Sequence, residues 1–460
     1  MNKSSVIGKI SITGDLVLRS PLLIGDGEGE TSENFRDVHV LKNLQDKPFI
    51  PGTSLCGVLR DWLEAIAPAW TAKIFGDTEE MQSSIQLEDI VLTDGEIIAR
   101  DGVRIDSVTG AGVDGGKYDF EVVERGVSGK FKLLITLRGF HVDKNFRGDK
   151  NYSFDKILDV TALLLRRLLD GIRLGALTTK GFGLVVAENL RAELFDFRDK
   201  ADVAAWLMKK PATKEISPST KEISPSNENF FDSPNNLVVD AVFGFNSSFI
   251  IRDYEIDAAD KAKNISAVAL KSGNDFVVPG TSIKGILRHR AEYIFDKLGI
   301  DGNALNDLMG SSTSDAKIKS RFIVAESYIA PNNFAEVEHT RNKIDRLTGG
   351  TLQGTLFTTK PAYQNKRGIP TLKIHFEIRE AKDFEVGLAI FLLRDLWLGH
   401  VALGGEKSIG RGTIGGLSAE INFKDKTYKL GANGKIIDGD KSELEKFATA
   451  LQNFAGGGVK

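Results

Sequence analysis

A ten-residue stretch written twice constrains this chain more than any other feature. Pro51-Gly-Thr-Ser-Leu-Cys-Gly-Val-Leu-Arg60 returns as Pro279-Gly-Thr-Ser-Ile-Lys-Gly-Ile-Leu-Arg288, with seven of the ten positions identical, at a separation of 279 − 51 = 228 residues. Two further landmarks recur in the same order. Ile105-Asp-Ser-Val-Thr-Gly110 reappears as Ile344-Asp-Arg-Leu-Thr-Gly349 (344 − 105 = 239), and Leu174-Gly-Ala-Leu-Thr-Thr-Lys-Gly-Phe-Gly183 as Leu403-Gly-Gly-Glu-Lys-Ser-Ile-Gly-Arg-Gly412 (403 − 174 = 229). Solenoid repeats recur at roughly 20–50 residues. Three ordered landmarks at a near-constant long offset instead imply two tandem copies of one domain.

Each copy of the first landmark reads as a tight turn into a helix. Pro and Gly end an extended segment, Thr or Ser offers a hydroxyl to the unpaired amides of the first turn, and apolar residues then keep helical spacing. These are Leu55, Val58, Leu59, Trp62, Leu63 and Ile66 in the first copy and Ile283, Ile286, Leu287, Ala291 and Ile294 in the second. Gly57 and Gly285 stand where alanine would suit a helix better by roughly 1 kcal/mol. Either something packs closely there or something binds there. Amides at a helix start attract anions, so the turn could hold a phosphate backbone through Ser54, Arg60, Ser282, Lys284 and Arg288. A capped helix with tight packing is the plainer alternative.

The chain has 460 residues, 41% hydrophobic and 27% charged, which suits two sizeable cores and argues against disorder. Its most apolar stretch, 386–403, is interrupted by Arg394 and Asp395, so a core helix rather than a membrane span is expected. No secretory signal is visible in the first twelve residues, and the lone cysteine, Cys56, excludes an internal disulfide; a cytoplasmic setting follows as the expectation. The net charge of −3 is not that of a basic nucleic-acid binder, so any such contact must be local.

In order, the first copy reads as a strand over 10–24, a polar loop reaching Asp37, the turn and helix, a strand over 90–98, a glycine-rich hairpin over 102–124 and a strand over 131–140. A helix capped by Ser153 and a last strand from Leu184 complete it. That order suits an α+β, ferredoxin-like unit. Thr213-Lys-Glu-Ile-Ser-Pro-Ser219 is followed at once by an identical Thr220–Ser226, which reads as a flexible linker over 205–235. The expected division is therefore a first domain over 1–204, that linker, a second domain over 236–422 with its own polar excursion at 339–364, and an extension over 423–460. In the extension Asn433-Gly434 signals a hairpin, and Leu444, Phe447, Leu451 and Phe454 signal a helix.

Catalytic signatures are missing: the sequence has no phosphate-binding Gly-x4-Gly-Lys, no His-Glu-x2-His and no Gly-x-Ser-x-Gly. His289 has no counterpart in the first copy, where Asp61 stands, and a structural role suits it better. The late glycine-rich turns could hold phosphates on Lys180, Gly181, Lys407 and Arg411, although such turns also arise for steric reasons alone.

Together, the Pro-Gly-Thr-Ser-x-x-Gly-x-Leu-Arg turn, the Ile-Asp-x2-Thr-Gly segment and the late glycine-rich loop resemble the RAMP superfamily, specifically backbone subunits of type III CRISPR effectors. Two fused copies resemble type III-D double subunits. The resemblance implies RNA-recognition-motif-like palms that bind guide RNA, with thumb hairpins near Asp106 and Asp345 that kink the duplex formed with target RNA. It implies other RAMP-type subunits and a large signalling subunit as partners, and no membrane. It also implies an acidic residue ahead of the Pro-Gly turn that supports metal-dependent cleavage of target RNA, with Mg2+ the expected ion. Asp37, 51 − 37 = 14 residues before Pro51, is the principal candidate for both catalysis and metal binding, with Asp26 its rival. The same step back from Pro279 meets Ile265, so the second copy would use Asp257 or Asp260 or be inactive. The alternatives are a scaffold that binds guide RNA without cleaving, and a guide-trimming nuclease, which would want a histidine site recurring in both halves.

Overall fold

The computed structural model describes residues 5–27, 37–77, 81–141, 154–218, 235–253, 256–313, 316–364 and 371–457. Contacts divide the chain into two compact units, the first comprising 1–98, 121–178 and 182–233, the second 99–120, 179–181 and 234–460.

In the first unit β1 (Val6–Leu18) alternates, so that Ile10, Ile12, Leu16 and Leu18 face the core. Helix α1 (Gly52–Ile66) lays Leu55, Leu59, Trp62 and Leu63 on that core, following the i, i+4, i+7, i+8 stripe of the sequence. Next come the edge strand β2 (Ile85–Leu87), the hairpin strands β3 (Ile97–Ile105) and β4 (Gly112–Val123), whose residues 99–120 belong to the second unit, and β5 (Ser128–Arg138). Helix α2 (Asp155–Asp170) buries Ile157, Val160, Leu164 and Leu168, and β6 (Leu184–Asp196) returns beside β1. The sheet runs β6-β1-β5-β2, antiparallel throughout, with Ile10 opposite both Ile135 and Leu194. Each such fully buried side chain contributes roughly 1.5–3 kcal/mol.

The second unit repeats the plan. Strands β8 (Leu237–Phe245), β9 (Phe322–Val324), β10 (Thr371–Ile378) and β11 (Ile414–Phe423) form a sheet in the order β9-β10-β8-β11, and helices α4 (Gly280–Leu298) and α5 (Asp383–Trp397) contribute to its core. The extension prolongs this sheet with β12 (Lys426–Leu430) and β13 (Ile436–Asp438), joined through the Asn433-Gly434 turn, and adds helix α6 (Lys441–Gly457). Gly387 of α5 lets α6 approach closely, because a Cβ there would meet the Phe447 carbonyl at 2.2 Å. Phe384 and Phe454 stack at 3.9 Å across the same seam.

Four sequence expectations need correction. Thr and Ser do not cap α1 and α4: Pro51 and Pro279 occupy the cap positions with no side-chain bond, and in the first unit the Gly52 amide donates instead to Asp89 Oδ1 at 2.8 Å. The strand expected over 90–98 breaks at Asp94, which has φ of 62°: Ile90–Val91 pair with Phe49–Ile50, while Ile97 and Ile98 begin β3. Ser153 lies outside the described residues, and Phe154 occupies the cap position of α2. The first heptad is exposed but not a free linker: Lys214–Glu215 form β7 on the edge of β6, Thr213 donates its hydroxyl to Asp202 at 2.8 Å, and Ile216 packs against the first core. Its Ser and Pro content concealed that one apolar anchor. The second heptad lies outside the described residues.

Candidate functional site

The two Ile-Asp-x2-Thr-Gly segments build the same turn. Asp106 Oδ1 accepts from the amides of Val108 (3.1 Å) and Thr109 (2.7 Å) and from the Thr109 hydroxyl (2.9 Å), and the Gly110 amide closes the loop on the Asp106 carbonyl at 2.9 Å. Asp345 Oδ1 accepts from Leu347 (2.7 Å) and Thr348 (3.0 Å), and Gly349 closes on the Asp345 carbonyl at 2.9 Å. Bonds from Thr109 and Thr348 respectively hold the two carboxyls below the usual carboxylate range. Gly110 and Gly349, at φ of 68° and 70°, take the left-handed position the turn requires. The result in each copy is a rigid tip carrying an apolar side chain into solvent: Val108 is 92% exposed and Leu347 98%. Such a pair is not core and makes no hydrophobic contribution within the chain.

In the second unit the turn 179–181 lies against the start of α4, where a Cβ on Gly280 would meet the Lys180 carbonyl at 2.2 Å. Lys180, Gly181, Ser282, Lys284 and Arg288 are thus brought together, as their sequence context suggested. Their roles differ from expectation. Lys284 is 6% exposed, and its Nζ donates to Ser320 Oγ (2.7 Å), the Phe322 carbonyl (2.7 Å) and the Thr179 carbonyl (3.4 Å). Burial, then the Lys180 and Arg288 charges, press its pKa down to about 7. Arg288 is likewise occupied, by Glu292, the Gly310 carbonyl and Asn306. Arg411, 2% exposed, donates to Glu406, Ser248 and Tyr363, with His339 beside it. Lys284 and Arg411, buried and bonded inside the chain, hold the fold, whereas Arg288, although each of its nitrogens has an internal partner, stays half-exposed. Burial, then the Arg288 charge, lowers the pKa of Lys180.

What remains accessible is different. Arg60 and Lys407 are exposed, Ser54 is half-buried, and Gly57 and Gly285 sit on α1 and α4 where an added Cβ would meet nothing within 4 Å. Close packing inside the chain therefore does not explain the two helix glycines.

Among the acids, Asp26 and Asp37 lie on paired segments: the Asp26 amide donates to the His39 carbonyl at 3.2 Å, and Gly25 bridges Val40. The structure adds two residues the sequence reading passed over. Glu121 Oε2 accepts from the Val40 amide at 3.2 Å and lies 3.5 Å from His39 Nδ1, while His39 Nε2 is buried with no hydrogen-bond partner. His39 stands two residues from Asp37, but only the fold brings Glu121 to it. Asp257 and Asp260 both make local bonds. Asp257 caps the short helix Ala258–Ala262 by accepting from the Asp260 amide at 2.7 Å, and both Asp260 oxygens accept from Lys360, at 2.5 and 2.7 Å. Among the described residues no group of three His, Cys, Asp or Glu side chains could hold a metal ion, and no helix is long and apolar enough to cross a membrane.

Comparison with known proteins bears on both copies. A family model for the RAMP superfamily matches residues 15–186 and 247–414. Among solved structures, a chain of "Cryo-EM structure of the Type III-B Cmr-beta bound to cognate target RNA" is similar at 14% identity and a TM-score of 0.30; the match covers 40% of this chain and spans 61% of that one. No curated protein matches.

Proposed function

We propose, on the premise that this chain belongs to the RAMP superfamily, that it is a guide-RNA-binding backbone subunit of a type III CRISPR effector, acting on a duplex of guide and target RNA. The observation that carries this is the pair of apolar tips, Val108 and Leu347, held out on identically bonded turns. An apolar side chain on a rigid hairpin is suited to wedge between stacked bases, and unstacking costs a few kcal/mol per step, which a floppy tip could not impose. The sheet order β6-β1-β5-β2, with α1 and α2 as the crossovers, supports reading each copy as a ferredoxin-like palm. The open faces at Gly57 and Gly285 leave room for a backbone to approach both helices closely. With a net charge of −3, phosphate contacts are confined to local positions such as Arg60 and Lys407.

The test is a base-stacking reporter. With 2-aminopurine placed along the target strand, the bound duplex should fluoresce at unstacked positions, and the double variant Val108→Ser, Leu347→Ser should lose that signal while guide affinity stays within about twofold. Unchanged fluorescence in the variant would refute the wedge.

Target cleavage is a second reading, favoured by one observation: the partnerless buried His39 Nε2 lies on the same loop as Asp37. Among the described residues no three His, Cys, Asp or Glu side chains gather there into a cation site. Asp37→Ala should abolish one cut by the assembled complex and spare RNA binding; retention of every cut leaves the non-cleaving scaffold.

A further inference from the structure

The edge of β6 holds one short peptide of this chain, and the sequence supplies that peptide a second time. Few groups make the site. Glu193 Oε1 accepts from the Ala212 amide at 3.2 Å, and Asp202 Oδ1, on a residue only 1% exposed, accepts from the Thr213 amide (3.3 Å) and hydroxyl (2.8 Å). Lys214 and Glu215 then lie antiparallel to Leu194 and Glu193, and Glu215 pairs with Arg191 at 3.7 Å. The Ile216 amide donates to the Ala192 carbonyl at 2.8 Å, and its side chain packs on the first core. The bound stretch, Pro211-Ala-Thr-Lys-Glu-Ile-Ser-Pro218, runs directly into Pro218-Ser-Thr-Lys-Glu-Ile-Ser-Pro225. The two differ at Ala212 against Ser219 alone, a position whose hydrogen bond to the site comes from its backbone amide.

We infer that the edge of β6 docks either heptad, so that residues 220–223 replace residues 213–216 in a second register and the chain slips by seven residues. Each group named above finds the same partner in both heptads. The registers therefore differ chiefly in the loop left after the helix Lys200–Leu207, which is 212 − 207 = 5 residues in the first and 219 − 207 = 12 in the second. Closing a loop becomes harder as the three-halves power of its length, so the first register is favoured about fourfold and the second stays populated. The slip shortens the chain between the anchoring isoleucine and β8 from 237 − 216 = 21 to 237 − 223 = 14 residues, which removes about 24 Å of extended reach. The site thereby selects between two lengths for the tether that joins the two domains, with or without bound RNA.

The experiment traps each register as a disulfide in the full chain carrying Cys56→Ser. Glu215 lies directly opposite Glu193, so the pair E193C/E215C reports the first register and E193C/E222C the second. The pair E193C/K221C controls for random encounter, because strand alternation turns position 221 to the other face. In one glutathione redox buffer, E193C/E222C should close its intrachain disulfide about fourfold more slowly than E193C/E215C. It should also close at least tenfold faster than E193C/K221C, at a rate independent of protein concentration. Closure of E193C/E222C no faster than that control would overturn the inference. Disulfides between chains in its place would overturn it too, since they would assign the second heptad to another molecule. Closure of E193C/E215C shows that the variants fold with the edge of β6 formed.

Discussion

Replacing Lys284 with methionine separates a structural lysine from a phosphate ligand. The wild-type ammonium is buried among three oxygens, with its pKa lowered from 10.5 to about 7. The unfolded chain therefore binds more protons than the folded one between those values, and stability rises with pH through that window. For a group only 6% exposed little screening applies, and the linkage integral between pH 7 and pH 9.5 comes to about 3 kcal/mol. Methionine removes the titration but leaves the Ser320 hydroxyl and the Phe322 and Thr179 carbonyls short of a donor, at about 1–3 kcal/mol for each buried group. Urea unfolding at the two pH values measures the difference: Lys284→Met should lose about 3 kcal/mol more, relative to wild type, at pH 9.5 than at pH 7. Its RNA affinity should keep the wild-type salt slope, whereas loss of a phosphate contact would reduce the slope by about 0.7 to 0.9. A pH-independent effect on stability, or a flattened salt slope in the folded variant, would refute the reasoning.

Gly57→Ala and Gly285→Ala should each stabilise the chain by about 0.5–1 kcal/mol in thermal unfolding, since the new methyl meets open space, while weakening RNA binding; destabilisation would show unseen packing. His375, between Asp240 and Glu377 at 2.9 Å each, is opposed by burial, but its two carboxylate bonds prevail and raise its pKa to about 9. Its contribution is complete below pH 6.5 and is lost as pH rises to 9, so wild type should lose about 1 kcal/mol there after allowance for screening. His375→Gln should abolish that loss, and a variant with the wild-type pH profile would contradict it. Deleting either heptad leaves the same sequence, so the remaining Thr-Lys-Glu-Ile-Ser-Pro-Ser can still supply β7. The midpoint of thermal unfolding should move by less than 2 °C, and a larger fall would show that both heptads are needed.

The sheets were legible because repetition and alternation report burial directly. Ile10, Ile12, Leu16 and Leu18 could only face one way, and the recurrence of Ile-Asp-x2-Thr-Gly marked two turns whose bonds are made within six residues. The fate of the cations was not legible. Lys284 and Arg288 end on carbonyls of Phe322 and Gly310, and a sequence shows a charge without showing which distant backbone oxygens will surround it. The surroundings of Asp260 were hidden for the same reason, since its partner Lys360 is 100 residues away. The heptad misled in the opposite direction: polar composition suggested solvent, although one isoleucine and two edge-strand residues suffice to dock it.

The central claim, that this chain carries guide RNA, is tested most directly by purifying it from its native host and sequencing what is bound. The account predicts small RNAs of defined length whose sequences match CRISPR arrays, lost from neither the Lys284→Met nor the Asp37→Ala protein. Protein that purifies without RNA, or with fragments drawn at random from the transcriptome, would contradict it.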